Sequence, residues 1–99
     1  MAHASHATLV TFDMDLRREA EQRGALHEVI VPSVRSAPGC VSGTWTLDRE
    51  AARSVVLVTF DTIDHARDFA DSVRANAPHE QAFGIELVSI AIVEVVAES

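Results

Sequence analysis

The sequence has no lysine and no tyrosine, one cysteine, one tryptophan, three prolines and four glycines in 99 residues. Its basic side chains are therefore eight arginines, set against fifteen acids, and the formal net charge is −7. A nucleic-acid or anionic-membrane partner requires a basic face, which this balance does not supply. A single cysteine, Cys40, excludes an intrachain disulfide. The first six residues, Met1-Ala2-His3-Ala4-Ser5-His6, lack the charged and apolar parts of a signal peptide and are expected to be a disordered tail. The apolar runs are strand-length, too short to span a bilayer. The expectation is a cytoplasmic chain forming a single domain over 1–99, with no repeat, linker or low-complexity segment.

The residues that are present alternate and recur in readable patterns. Ala7 to Met14 predicts a first strand, with Thr8, Val10, Phe12 and Met14 on one face and Leu9 and Thr11 on the other. Asp13 and Asp15 mark its exit. Leu16 to Ser36 predicts an interrupted helix. Arg17 with Glu21 and Glu19 with Arg23 are spaced as i,i+4 ion pairs on its solvated side. Leu26, His27, Ile30, Val31 and Val34 form its apolar stripe. Pro32 either kinks this helix or starts a new helical turn. Ala37-Pro38-Gly39 stops it.

Cys40 to Leu47 predicts a second strand, with Val41, Trp45 and Leu47 on one face. Ser54 to Phe60 predicts a third, apolar on both faces. Thr62 is the expected N-cap of a second helix, with Asp64 in its first turn and a buried stripe of Ile63, Ala66, Phe69, Ala70, Val73 and Ala77. Arg67 with Asp71 is a further i,i+4 pair, and Ala77-Pro78 is expected to end the helix. Gly84 to Ala97 predicts a long last strand.

The order β-α-β-β-α-β implies an α+β, ferredoxin-like domain, with both helices on one face of an antiparallel sheet. A monomer would show water the other face, and its strands would then alternate cleanly. The third and fourth do not, so a second copy is the expected cover. A fourteen-residue last strand would reach roughly 46 Å, and its excess near Glu94 to Glu98 is expected to pair along the partner's sheet edge.

The Val31-Pro32 to Gly39 stretch with its turn into Cys40, Val58-Thr59-Phe60-Asp61 leading into Asp64 to Phe69, and the closing Gly84 to Ala97 resemble the dimeric α/β-barrel superfamily. Within it the sequence is similar to the antibiotic-biosynthesis monooxygenase-like small proteins. The resemblance covers nearly the whole chain through motifs that specify turns and core. It implies two ferredoxin-like copies packed as a dimeric α/β barrel. It also implies a class that includes cofactor-free oxygenases, haem-degrading enzymes and isomerases. Such oxygenases and haem degraders often combine Asn, Trp and His or Tyr in one pocket. This chain has no Tyr, its Trp is on the second strand, and its third strand ends in Phe60, so no catalytic residue is carried over.

The candidate pocket residues are Trp45, His27, His65, Phe69 and Asn76. Trp45 is either a wall stacking on a flat apolar ligand or a packing residue of the core or dimer. His27 is either a satisfied histidine of the helix stripe or a general base. His65, Phe69 and Asn76 share a flank of the second helix, either lining a cavity mouth or forming an amphipathic edge. Cys40 has no basic neighbour or CxxC partner and reads as a small buried residue. His3 and His6 are candidate metal ligands. A free amine followed by His3 would make a square-planar copper or nickel site that removal of Met1 spoils, and Asp13 with Asp15 lacks a third ligand. No phosphate loop, GxSxG or HExxH is present. No cofactor and no metal is therefore expected. Two functions stand open. One is a cofactor-independent monooxygenase-like enzyme acting on a flat apolar metabolite. The other is a non-catalytic ligand-binding or structural homodimer joined through sheet faces and the fourth strand.

Overall fold

The computed structural model describes residues 3–99. Strand β1 is His6–Met14, β2 Cys40–Asp48, β3 Arg53–Phe60 and β4 Ile85–Glu94. Helix α1 is Glu19–Ala25, α2 Val31–Arg35 and α3 Ile63–Gln81. The strands lie in the order β2-β3-β1-β4, each antiparallel to its neighbours. This is the expected ferredoxin-like α+β arrangement. The sheet starts early: the Ser5 N–H donates to the Phe60 carbonyl at 2.8 Å and β1 begins at His6. Met1 and Ala2, the rest of the tail expected at 1–6 apart from His3 and Ala4, lie outside the described residues.

The first helical layer is built in pieces. Asp15 caps a 3-10 turn at Leu16–Arg18, accepting from the Arg17 N–H at 3.1 Å. Arg17 bends back to pair with Asp15 at 3.0 Å, so the expected pair with Glu21 is not made. Glu21 pairs with Arg18 instead, while Glu19 and Arg23 pair as expected at 2.8 Å. A π turn at Leu26–Ile30 separates α1 from α2, and the Val31 N–H closes it on the Leu26 carbonyl. Pro32 then sits in the first turn of α2, where its missing N–H removes no bond that the helix needs. The wider turn takes more residues to come round than an α-helix does. It leaves Leu26, Ile30 and Val31 partly covered and turns His27 out to solvent, a correction to its place in the apolar stripe.

Helix α3 corrects a second expectation, because it runs through Pro78 to Gln81. Pro78 removes the bond that the Arg74 carbonyl would accept. Both residues are exposed, which leaves room for water to take that bond.

The sheet has two unlike faces. Val10, Val56, Val58 and Phe60 face the helices and form the core with Val34 and Ala66. Trp45, Leu87, Ile90 and Ile92 pack against them. Ile90 and Ile92 pair with Val10 and Thr8, which places both on the helix side. Buried Thr8 donates its hydroxyl to the Ala66 carbonyl at 2.8 Å and thereby ties sheet to α3. A bulge at Val88 resets β4, since Thr11 pairs with Ser89 and Phe12 with Leu87. On the opposite face Leu9 is flanked by Leu57 and Ala91. Val55, Leu57 and Val93 stand 36%, 39% and 37% exposed. The last strand is shorter than Gly84 to Ala97, and its end pairs within its own sheet. Glu94 is opposite His6, and the Val95 N–H donates to the Ser5 carbonyl at 2.9 Å.

Candidate functional site

The start of α3 brings two titratable groups together. Thr62 adopts extended backbone and its hydroxyl accepts the His65 N–H at 3.1 Å, which fixes the first turn. Asp61 immediately precedes this cap, and four residues later His65 comes round to the same side. His65 Nδ1 lies 2.6 Å from Asp61 Oδ1. A carboxylate only accepts, so Nδ1 carries the proton and Nε2 is the proton acceptor of the neutral ring. The hydrogen bond to Asp61 raises the His65 pKa above its ordinary value of 6.5. Asp68 and Asp64 add to the shift, while partial burial opposes it.

Across from this dyad, α2 ends in a tight turn. The Cys40 N–H donates to the Ala37 carbonyl at 3.1 Å, with Pro38 and Gly39 at the corner and Gly39 at φ +74°. Pro followed by a glycine at positive φ is the chemistry of a type II turn. Between turn and helix is a crevice of about 80 Å³, lined by Ala37, Pro38, Phe60, His65, Asp68, Phe69 and Ser72. Phe60 and Phe69 meet there with ring centroids 5.3 Å apart. The site is an apolar slot with a histidine–aspartate pair at its edge.

Of the five candidate pocket residues, this site unites His65 and Phe69. Trp45 does not line the crevice. It lies over Gly43, where an added Cβ would meet the indole ring at 3.0 Å, and it packs on the core. His27 is exposed on the π turn, and Asn76 is exposed further along α3. Sequence reading missed Asp61 and Asp68, although the Asp61-x-x-x-His65 spacing around a Thr62 cap carries the signal. Cys40 is partly covered, and burial pushes its thiol pKa up, away from a reactive thiolate. His6 lies in β1 with Nδ1 2.9 Å from the Ser5 hydroxyl. The amino-terminal metal reading rests on Met1 and Ala2, outside the described residues. Among the described residues no three His, Cys, Asp or Glu side chains group to hold a metal. A larger open depression of about 550 Å³ lies by Asp13, Asp15, Arg17 and Glu86. Its charges are largely spent on neighbours, Asp15 on Arg17 and Asp13 on Arg53.

No protein-family model matches the sequence, and no curated protein matches it. Solved structures do. A Bordetella bronchiseptica protein, provisionally named an antibiotic biosynthesis monooxygenase, superposes with a TM-score of 0.70 at 18% identity. That match covers 96% of this chain and 100% of the other. The monooxygenase ActVA-Orf6 of Streptomyces coelicolor, solved with nanaomycin D, gives 0.62 at 15% identity over 97% and 89%. A dimeric ferredoxin-like protein from an uncultured marine organism gives 0.65 at 13% identity over 96% and 97%. The chain has the fold of the antibiotic biosynthesis monooxygenase-like proteins. On this fold the His65 crevice lies on the helix side of the sheet, beside the end of β3. No helix among the described residues is long and apolar enough to cross a membrane.

Proposed function

We propose that the chain works as a homodimer joined through the open faces of two sheets. We propose further that His65, oriented by Asp61, accepts a proton from an apolar metabolite presented edge-on to the crevice, without a cofactor. The observation that carries this is the 2.6 Å His65–Asp61 bond at the rim of a slot floored by Phe60 and Phe69. A histidine held by a carboxylate is a general base that operates near neutral pH. Removing the hydroxyl proton of a phenol gives the anion that can pass electrons directly to dioxygen, one oxygen atom entering the ring to leave a quinone and the other departing as water with the two hydrogens the phenol gives up. The volume limits the ligand. Pockets that enclose a whole drug-sized molecule run to about 300–1,000 Å³. About 80 Å³ takes only the edge of a flat ring system.

The dimer part of the proposal rests on the exposed residues Val55, Leu57, Ala91 and Val93 around a partly covered Leu9, rimmed by hydroxyl side chains such as Thr44, Thr46 and Thr59. An apolar centre with a polar rim is the anatomy of an interface. The fourth strand contributes Ala91 and Val93 to it, and Val96 beyond the strand is 86% exposed.

The small crevice favours a second reading, a homodimer that binds or assembles without catalysis. Oxygen uptake against a panel of phenols and hydroquinones discriminates. The first reading expects uptake with at least one ring that also shifts the His65 ring signals, and its loss in His65→Gln with the dimer intact. No uptake and no shift across the panel establishes the second.

A further inference from the structure

The geometry points to Gly39 as the positioning residue of the His65–Asp61 dyad. The inference rests on the proposed role of that dyad. Two independent features converge on this glycine. Its φ of +74° is required by the turn that ends the helical layer and begins β2. That alone asks for glycine, asparagine or aspartate. The second feature asks for glycine and nothing larger. A Cβ added to Gly39 would collide with Asp61 Oδ1 and with His65 Nδ1, the two atoms that bond to each other. The α-carbon of Gly39 is thus the floor on which the dyad closes.

The backbone of Gly39 also holds the dyad from beneath. Its carbonyl accepts the Asp61 N–H at 3.0 Å, which fixes the carboxylate's own backbone against the turn. Asp61 is therefore held through its main chain by Gly39 and through its side chain by His65. The other glycine at φ +74°, Gly84, serves as a built-in control. An added Cβ there would meet Asp15, Arg18 and Gln22, and none of these lines the crevice.

Asparagine tolerates positive φ, so Gly39→Asn keeps the turn while placing a Cβ against the dyad. The experiment is an NMR titration of the His65 ring in the wild type, Gly39→Asn and Gly84→Asn, without any substrate. Asp61 is the main cause of the raised His65 midpoint, and Asp64 and Asp68 are the other charged groups that raise it. Wild type and Gly84→Asn should both titrate above the ordinary 6.5, and Gly39→Asn should fall back towards it. An unchanged midpoint in Gly39→Asn, or an equal fall in Gly84→Asn, overturns the inference. Should Gly39→Asn not fold, chemical ligation at Cys40 can install D-alanine at position 39, with its methyl on the opposite side of the α-carbon. That protein should fold and keep the raised midpoint. Its failure to do so also overturns the inference. The titration needs no turnover, so its outcome is separate from that of the catalytic proposal.

Discussion

Strand β3 runs through two environments at once. Ser54, Val56, Val58 and Phe60 face the helices and are buried, while Val55 and Leu57 between them stand more than a third exposed. On the helix side Val56, Val58 and Phe60 are apolar beside Ser54, and on the other side Val55 and Leu57 are apolar between Arg53 and Thr59. What differs is that, among the described residues, helices cover one face and no element covers the other. The apolar pair on the uncovered side is what the proposed dimer would close.

Breaking the internal face should have the largest effect. Phe60→Ala empties the centre of the core and removes its contact with Phe69. We expect a loss of about 3–5 kcal/mol, read from urea unfolding and present at every protein concentration. Breaking the external face should instead show itself through concentration. Leu57→Asp puts a charge on the open row of each copy. In a two-fold interface the substituted residue enters twice, so we expect at least about 3 kcal/mol lost from dimerisation. The measurement is a series of urea midpoints at increasing protein concentration. They should rise for the wild type and stay flat for the variant.

Two charge variants sharpen the same contrast at smaller scale, because both lie in the layer that covers the internal face. Glu19 accepts from Arg49 at 2.8 and 3.0 Å and from Arg23 at 2.8 Å, joining α1 to the β2–β3 loop. Arg49 first, then Arg23, holds its pKa down at about 2. A depressed carboxylate stabilises above its unfolded value, near 4.5, and that contribution fades as pH falls towards 2. Glu19→Gln should accordingly be less stable than wild type at pH 7 and converge with it under strong acid, checked by urea midpoints across that range. His65 has the opposite sign. Its raised pKa stabilises fully below about 6.5 and the contribution is lost as pH rises through the folded value. Asp61→Asn should thus cost most below about pH 6.5 and least once the pH has risen past the raised folded value, the smallest of these effects because the pair is solvent-screened.

Local alternation and capping made most of the fold legible. The four strands, the Thr62 cap and the Pro-Gly turn follow from patterns that need only near neighbours. The helix boundaries were less so. Pro32 and Pro78 look alike in sequence, yet one opens α2 and the other rides inside α3, on a face that Arg74 and Pro78 share with solvent. The π turn was invisible to a stripe drawn at α-helical spacing, and His27 went with it. The fourth strand was drawn three residues past its end at Glu94, and that end lacked a partner because Ser5 and His6 were read as tail. Their hydrogen bonds to Phe60 and β4 are long-range. At the site, His65 and Phe69 were legible from helix α3 alone. Pro38, Gly39 and the crevice were not, since a turn some 25 residues away in sequence forms the facing wall.

Sedimentation equilibrium at micromolar concentration tests most directly whether the open face is closed by a second copy. The wild type should run at twice 10.7 kDa, and Leu57→Asp should shift towards the single mass while Phe60→Ala, where folded, does not. A wild-type chain that is folded and sediments at 10.7 kDa would contradict the account, because a stable monomer would then carry an uncovered Val55, Leu57 and Val93 row in water.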